Sequence, residues 1–224
     1  MQFRTAAERR EDLVALYREA SGCVRCPLHQ GRTNVVFGNG NADAALMFVG
    51  EAPGHHEDLQ GLPFVGRAGQ LLDQLLGEIG LSRKDVFVCN TLKCQPPGNR
   101  DPQPDEIDTC KPYLYRQVEL IEPKVISTLG NFATKLLTRS NRGITSVHGR
   151  PQVHEIGGRT VRIYPLYHPA AALRSTGTLA QLREDISRLP ALLEEPPPVP
   201  IGAVVPVAAA VAAEAEASQM DLFG

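Results

Sequence analysis

Short apolar runs recur along this chain, each too brief for a helix, and stretches with helical periodicity separate them. Ala45 to Val49, Val86 to Cys89, Val125 to Leu129 and the longer Arg159 to Leu166 are such runs, with a weaker one at Asn34 to Phe37. Near-continuous apolar strands need cover on both faces, which a parallel sheet with helical crossovers supplies. Between the runs, Leu71, Leu72, Leu75, Leu76 and Ile79 repeat at helical spacing within Gly69 to Ile79. Pro104 suits the first turn of a helix running to about Leu120. Further helices are predicted over 7–20, Phe132 to Leu137 and Thr178 to about Leu193, with a hairpin partner for the last strand near Val153. The expected fold is an α/β three-layer sandwich, α/β/α, around a mostly parallel central sheet. Such sheets bind ligands where strand C-termini open into loops, here after Val49, Val88 and Leu166.

Hydrophobic residues at 42% and charged residues at 21% allow a real core and exclude a disordered or collagen-like chain. The net charge of −2 hides an asymmetry. No Lys or Arg follows Arg188, whereas Glu194, Glu195, Glu214, Glu216 and Asp221 do, so the body is mildly basic and the tail acidic. A mildly basic body is compatible with nucleic acid. From Glu194 the composition turns to Pro196, Pro197, Pro198, Pro200 and Pro206 and then to Ala and Glu. The expected organisation is a domain over 1–193, a disordered linker over 194–218 and a terminal peptide over 219–224. The N-terminus is polar, and the apolar stretch Val199 to Ala213 is broken by Pro200, Gly202 and Pro206. That falls short of the roughly 20 apolar residues a membrane span needs, so a soluble, cytoplasmic protein is expected, and a monomer.

Five cysteines in such a chain point to metal or redox work rather than to disulfides. Cys23 and Cys26 form C-x-x-C, which lets two thiolates face one ion from a tight turn. Cys94 and Cys110 could complete a tetrahedral metal site or an iron–sulfur cluster. A reactive or structural thiol pair is the plainer alternative. Cys89, inside an apolar run, reads as core.

Three loops carry the remaining chemistry. They are Gly50-Glu51-Ala52-Pro53-Gly54-His55-His56-Glu57 with Pro63-Phe64-Val65-Gly66-Arg67, Asn90-Thr91-Leu92-Lys93-Cys94-Gln95-Pro96-Pro97-Gly98-Asn99-Arg100, and Tyr167-His168-Pro169-Ala170-Ala171-Ala172-Leu173-Arg174. Each alone is weak. Together they offer a carboxylate, an aromatic platform, an amide and a histidine at three strand ends, which is what extracting a nucleobase and cutting its glycosidic bond requires.

On those motifs the chain resembles the family-four uracil-DNA glycosylases, which carry a [4Fe–4S] cluster, from about Cys23 to Leu189. The resemblance implies that Cys23, Cys26, Cys94 and Cys110 hold the cluster. It implies that Phe64 stacks on the extruded base, Asn90 reads uracil's O4 and N3–H, and Glu57 crowds C5 against thymine. His168 would meet O2 as charge develops there, and Glu51 would orient or activate water, with Glu57 as second candidate. Ala52 stands where a related glycosylase family has the water-activating Asp. Ala52 and Gly54 count among the substrate contacts, and Leu173 and Arg174 fill or flank the gap left by the flipped nucleotide. Lys93, Arg100 and Arg67 are candidate phosphate contacts, and His55, His56, His148 and His154 read as surface or satisfied histidines. The implied activity is hydrolysis of deoxyuridine in DNA by a nucleoid-associated repair enzyme.

Gln219, Met220, Asp221, Leu222 and Phe223 resemble the bacterial sliding-clamp-binding pentapeptide, on a leash spanning roughly 25–30 Å if flexible. Two other readings fit parts of the sequence. A zinc nucleobase deaminase would pair the H-x-E of His55-His56-Glu57 with Cys23 and Cys26, but its signature has these in the opposite order. A uracil-DNA-binding protein without turnover would trap the abasic sugar on a histidine in a basic insertion, and no such insertion follows Lys93.

Overall fold

Three fully buried five-residue strands form the centre of the sheet: β2 (Leu46–Gly50), β3 (Val86–Asn90) and β4 (Val125–Leu129). The computed structural model describes residues 4–199. Among them the sheet has six strands in the order β1-β3-β2-β4-β6-β5, with β1 at Asn39–Gly40, β5 at Gln152–Ile156 and β6 at Arg159–Leu166. The pairs β2–β3, β2–β4 and β4–β6 are parallel, and the two edge strands run antiparallel to their neighbours.

The helices are α1 (Ala6–Ser21), α2 (His55–Gln60), α3 (Arg67–Glu78), α4 (Pro104–Ile121), α5 (Asn131–Thr138), α6 (Ile144–Val147), α7 (Pro169–Ala172), α8 (Thr176–Ser187) and α9 (Leu189–Glu194). Alternation along the strands distributes the core to both faces. Met47, Val49, Phe87, Cys89 and Ile126 pack with Leu114 and Val118 of α4 and Leu137 of α5. Leu46, Phe48, Val86, Val88 and Val125 pack with Leu72, Leu75 and Leu76 of α3 and Leu182 and Ile186 of α8. This is the expected three-layer sandwich. Local chemistry sets the helix starts. A capping box between Thr5 and Glu8 opens α1. Pro104 opens α4, where Glu106 reaches back to the Gln103 N–H (2.9 Å).

The structure corrects three expectations. Asn34 to Phe37 is not a strand. The Val36 N–H goes to the Lys93 carbonyl (2.8 Å) and the Phe37 carbonyl takes the Gln117 side chain (2.9 Å), so the edge position falls to β1. The last predicted helix is two, α8 and α9, because Pro190 cannot continue a helix and breaks the run at Arg188. The linker does not begin at Glu194, which closes α9. Arg162 of β6 pairs with Glu195 (3.0 Å) and donates to the Pro196 carbonyl (3.0 Å), holding that segment on the sheet. Residues 200–224, with the pentapeptide, lie outside the described residues. Among the described residues no helix is long and apolar enough to cross a membrane.

Candidate functional site

Parallel pairing of β2 with β3 puts Gly50 directly opposite Asn90, so the loops beyond them leave the sheet side by side. His168 follows β6 and caps α7. The three loops meet in a cleft of ≈ 640 Å³ lined by Glu51, Ala52, Gly54, Glu57, Phe64, Asn90, His168 and Arg174. The size lies within the ordinary range of small-molecule sites. Leu173 is 41% exposed on the adjoining turn, one residue before Arg174.

Phe64 and His168 stack, with ring centroids 5.7 Å apart and planes 27° from parallel. Asn90 is 2% exposed, and its carboxamide oxygen lies so close to Gly50 that a Cβ there would sit 2.3 Å from it and 2.8 Å from the Phe64 ring. Glycine at position 50 is what lets the amide and the aromatic platform converge. Lys93 braces the backbone of Asn90 from behind. Its ammonium donates to the Asn90 carbonyl and to Gln117 Oε1, both at 2.7 Å, and it is itself buried. This overturns Lys93 as a phosphate contact, since a side chain enclosed under the cleft cannot reach solvent-side DNA. Arg100 is also committed, with both terminal nitrogens on the buried Glu106 carboxylate (2.9 and 2.5 Å). Arg67, at the start of α3, is exposed as expected.

Burial holds the His168 imidazole well below the usual histidine range, at about 4, although Glu57 works the other way. The ring is therefore neutral near pH 7. Its Nδ1 accepts the Ala170 N–H (3.1 Å), which assigns the remaining proton to Nε2. Burial also raises the Glu51 carboxyl above its ordinary value, with Asp101 adding to the shift. Glu57 has a task that the sequence did not reveal. Its Oε1 accepts the N–H groups of Val65 (3.0 Å) and Gly66 (3.1 Å), bracing the turn that carries Phe64. His148 is satisfied by Asp185 (2.7 Å), and His154 faces Gln152.

The cysteines gather on the other side of Lys93. Cys23, Cys26, Cys94 and Cys110 line one recess, joined by Arg25, His29, Arg32 and Tyr113. Two N–H donors point at sulfur: Arg32 to Cys94 (3.4 Å) and the Lys93 amide to Cys110 (3.3 Å). Burial pushes the Cys110 thiol up to about 11 and raises Cys94 and Cys26. Burial opposes ionisation of Cys23 too, but hydrogen bonds with Tyr113 and Arg25 bring its thiol below the ordinary value. Among the described residues no group of three or more His, Cys, Asp or Glu side chains is arranged to hold a single metal ion. Four soft thiol donors around a common recess, with N–H groups aimed at the sulfurs, fit a polynuclear iron–sulfur group. Cys89 is core. His55 and His56 are exposed on α2 and, with Glu57, stand apart from the cysteine recess, which removes the zinc deaminase reading.

The family model of the uracil DNA glycosylase superfamily matches residues 37–189. The chain is 45% identical to a type-4 uracil-DNA glycosylase of Sulfurisphaera tokodaii, over 80% of this chain and 84% of that protein. It is 46% identical to one of Saccharolobus solfataricus, over 83% and 88%. To one of Archaeoglobus fulgidus it is 47% identical, over 78% and 88%.

Proposed function

Since the chain belongs to the uracil DNA glycosylase superfamily, and within it to the type-4 uracil-DNA glycosylases, we propose how its cleft hydrolyses the N-glycosidic bond of an extruded deoxyuridine. The products are free uracil and an abasic site. One observation carries the assignment of roles: the Asn90 amide and the Phe64 ring converge on the space beside Gly50, and His168 stacks on that ring.

Phe64 takes the face of the base. Asn90 accepts from N3–H and donates to O4. Cytosine offers the opposite pattern at both positions, and a polar mismatch discriminates strongly. As the C1′–N1 bond breaks, its electron pair passes into the uracil ring and charge builds on O2. The His168 Nε2–H donates to that oxygen, and a neutral donor serves because the charge is largest in the transition state. Glu51 orients the water whose oxygen bonds to C1′, offsets the positive charge of the sugar as a carboxylate, and takes the proton that the water gives up, which then neutralises the departed uracil anion. Its raised pKa fits a carboxylate held in a half-buried site. Leu173 enters the gap in the duplex, and Arg174 lies at the cleft margin. Incubation with a uracil-containing oligonucleotide followed by alkali tests the reading. Strand cleavage is expected, with activity lower by orders of magnitude in Asn90→Ala and His168→Ala. Wild-type rates in both variants would refute the roles.

Cys23, Cys26, Cys94 and Cys110 hold a [4Fe–4S] cluster in this proposal. Its contribution when bound is structural, tying the 23–26 turn, the loop after β3 and α4 together. The thiol set and its N–H donors support this. About four iron per chain with acid-labile sulfide is the expected analysis, and a single zinc would refute it. The mildly basic body suits a DNA substrate, and the proposed setting is a monomer working on nucleoid DNA in the cytoplasm. There the 219–223 peptide would engage a sliding clamp and raise the local concentration of the enzyme. Deleting the last six residues should abolish clamp binding and spare activity on a short oligonucleotide.

A further inference from the structure

We infer that Arg83, which belongs to none of the pocket's motifs, is a positioning residue that sets the aromatic platform through the backbone of Phe64. Phe64 has a φ of +55°, a left-handed conformation that a bulky L-residue adopts only when its surroundings enforce it. Its carbonyl is pressed against α3 so closely that a Cβ at Gly69 would fall 1.6 Å from the oxygen. Arg83, in the turn between α3 and β3, reaches back 19 residues and donates from Nη2 to that same oxygen at 2.8 Å. Its Nη1 approaches the Pro63 carbonyl at 3.4 Å, and its Nε is paired with Asp73 of α3.

The turn is thus gripped from two sides. Glu57 takes the N–H groups just after Phe64, and Arg83 takes the carbonyls of Pro63 and Phe64. The planar guanidinium suits this task, because one fork serves two carbonyls while a third nitrogen is fixed by a carboxylate. A lysine ammonium could replace one of those bonds but not the set. Loosening this end lets the turn relax away from positive φ, which moves the Phe64 ring relative to His168. Catalytic geometry is sensitive on that scale, since a displacement of about 1 Å costs on the order of a hundredfold in rate.

The inference rests on Phe64 being the platform for uracil, and the test separates the two ideas. Arg83→Ala, Arg83→Lys and Phe64→Ala are compared for kcat/KM on a uracil-containing oligonucleotide and for inhibition by free uracil, both per folded protein. Arg83→Ala should lower kcat/KM by about ten- to a hundredfold and weaken inhibition by free uracil by a comparable factor. Arg83→Lys should recover part of both. If Phe64→Ala leaves uracil inhibition intact, the platform reading itself fails. If Phe64→Ala weakens it while Arg83→Ala changes only thermal stability, Arg83 is merely structural and the inference is overturned. Should Arg83→Ala not fold, Arg83→Lys decides: wild-type values for both readouts overturn the proposal, and a partial loss in both supports it.

Discussion

Replacing Gly50 by Ala probes the site with one methyl group. The added Cβ would meet Asn90 Oδ1 at 2.3 Å and the Phe64 ring at 2.8 and 3.0 Å, whereas ordinary contact begins at 3.4 Å. Gly50 is the last residue of β2, and its φ lies outside the left-handed range, so alanine brings no backbone strain there. The conflict is therefore with the two side chains. Relieving it moves the carboxamide by about 1 Å, a displacement that costs on the order of a hundredfold in kcat/KM, or about 2.7 kcal/mol of transition-state stabilisation. Overpacking also lowers stability, by about 1–3 kcal/mol. The assay is single-turnover uracil release, with the folded fraction measured by circular dichroism in the same samples. A Gly50→Ala enzyme within threefold of wild type, once corrected for folding, would refute the convergence of Asn90 and Phe64 on which the proposed chemistry depends.

The His168 pKa is depressed from 6.5 to about 4, so the unfolded chain takes up a proton that the folded one refuses as pH falls below 6.5. Stability should therefore drop between pH 6.5 and pH 4, by up to about 3 kcal/mol from this group. Urea titrations should show a flatter pH dependence in His168→Gln, and an unchanged one would refute the assignment. Activity, by contrast, should show no histidine inflection near pH 6.5. At the cysteine recess, Cys94→Ser should lower iron content and visible absorbance together, since it removes one donor of four. Full iron occupancy in that variant would show that Cys94 is not a ligand.

Much of this was legible in the sequence because the signals were periodic or dense. The apolar runs Ala45 to Val49, Val86 to Cys89 and Val125 to Leu129 fall on the three buried strands, and the leucines of Gly69 to Ile79 became the buried face of α3. The three loops with a carboxylate, an amide and a histidine do line one cleft, since parallel strands send their C-termini to the same edge. What stayed hidden depended on contacts between distant residues. Lys93 looks like any surface lysine until Gln117, 24 residues on, is seen to accept its hydrogen bond. Asn34 to Phe37 has strand composition, but Gln117 and Lys93 take its hydrogen bonds. Arg83 sits in a plain polar turn, and only the tertiary fold brings its guanidinium under Phe64.

The segment from Asn90 to Cys94 concentrates several obligations in five residues. It contains the amide, the buried lysine beneath it, and a thiol of the recess, while the Lys93 amide touches a second thiol on α4. Inserting or deleting one residue here would shift all of these at once. The stretch between Glu51 and Glu57 borders the same cleft without being tied to the thiols, so a one-residue change there would disturb the cleft alone.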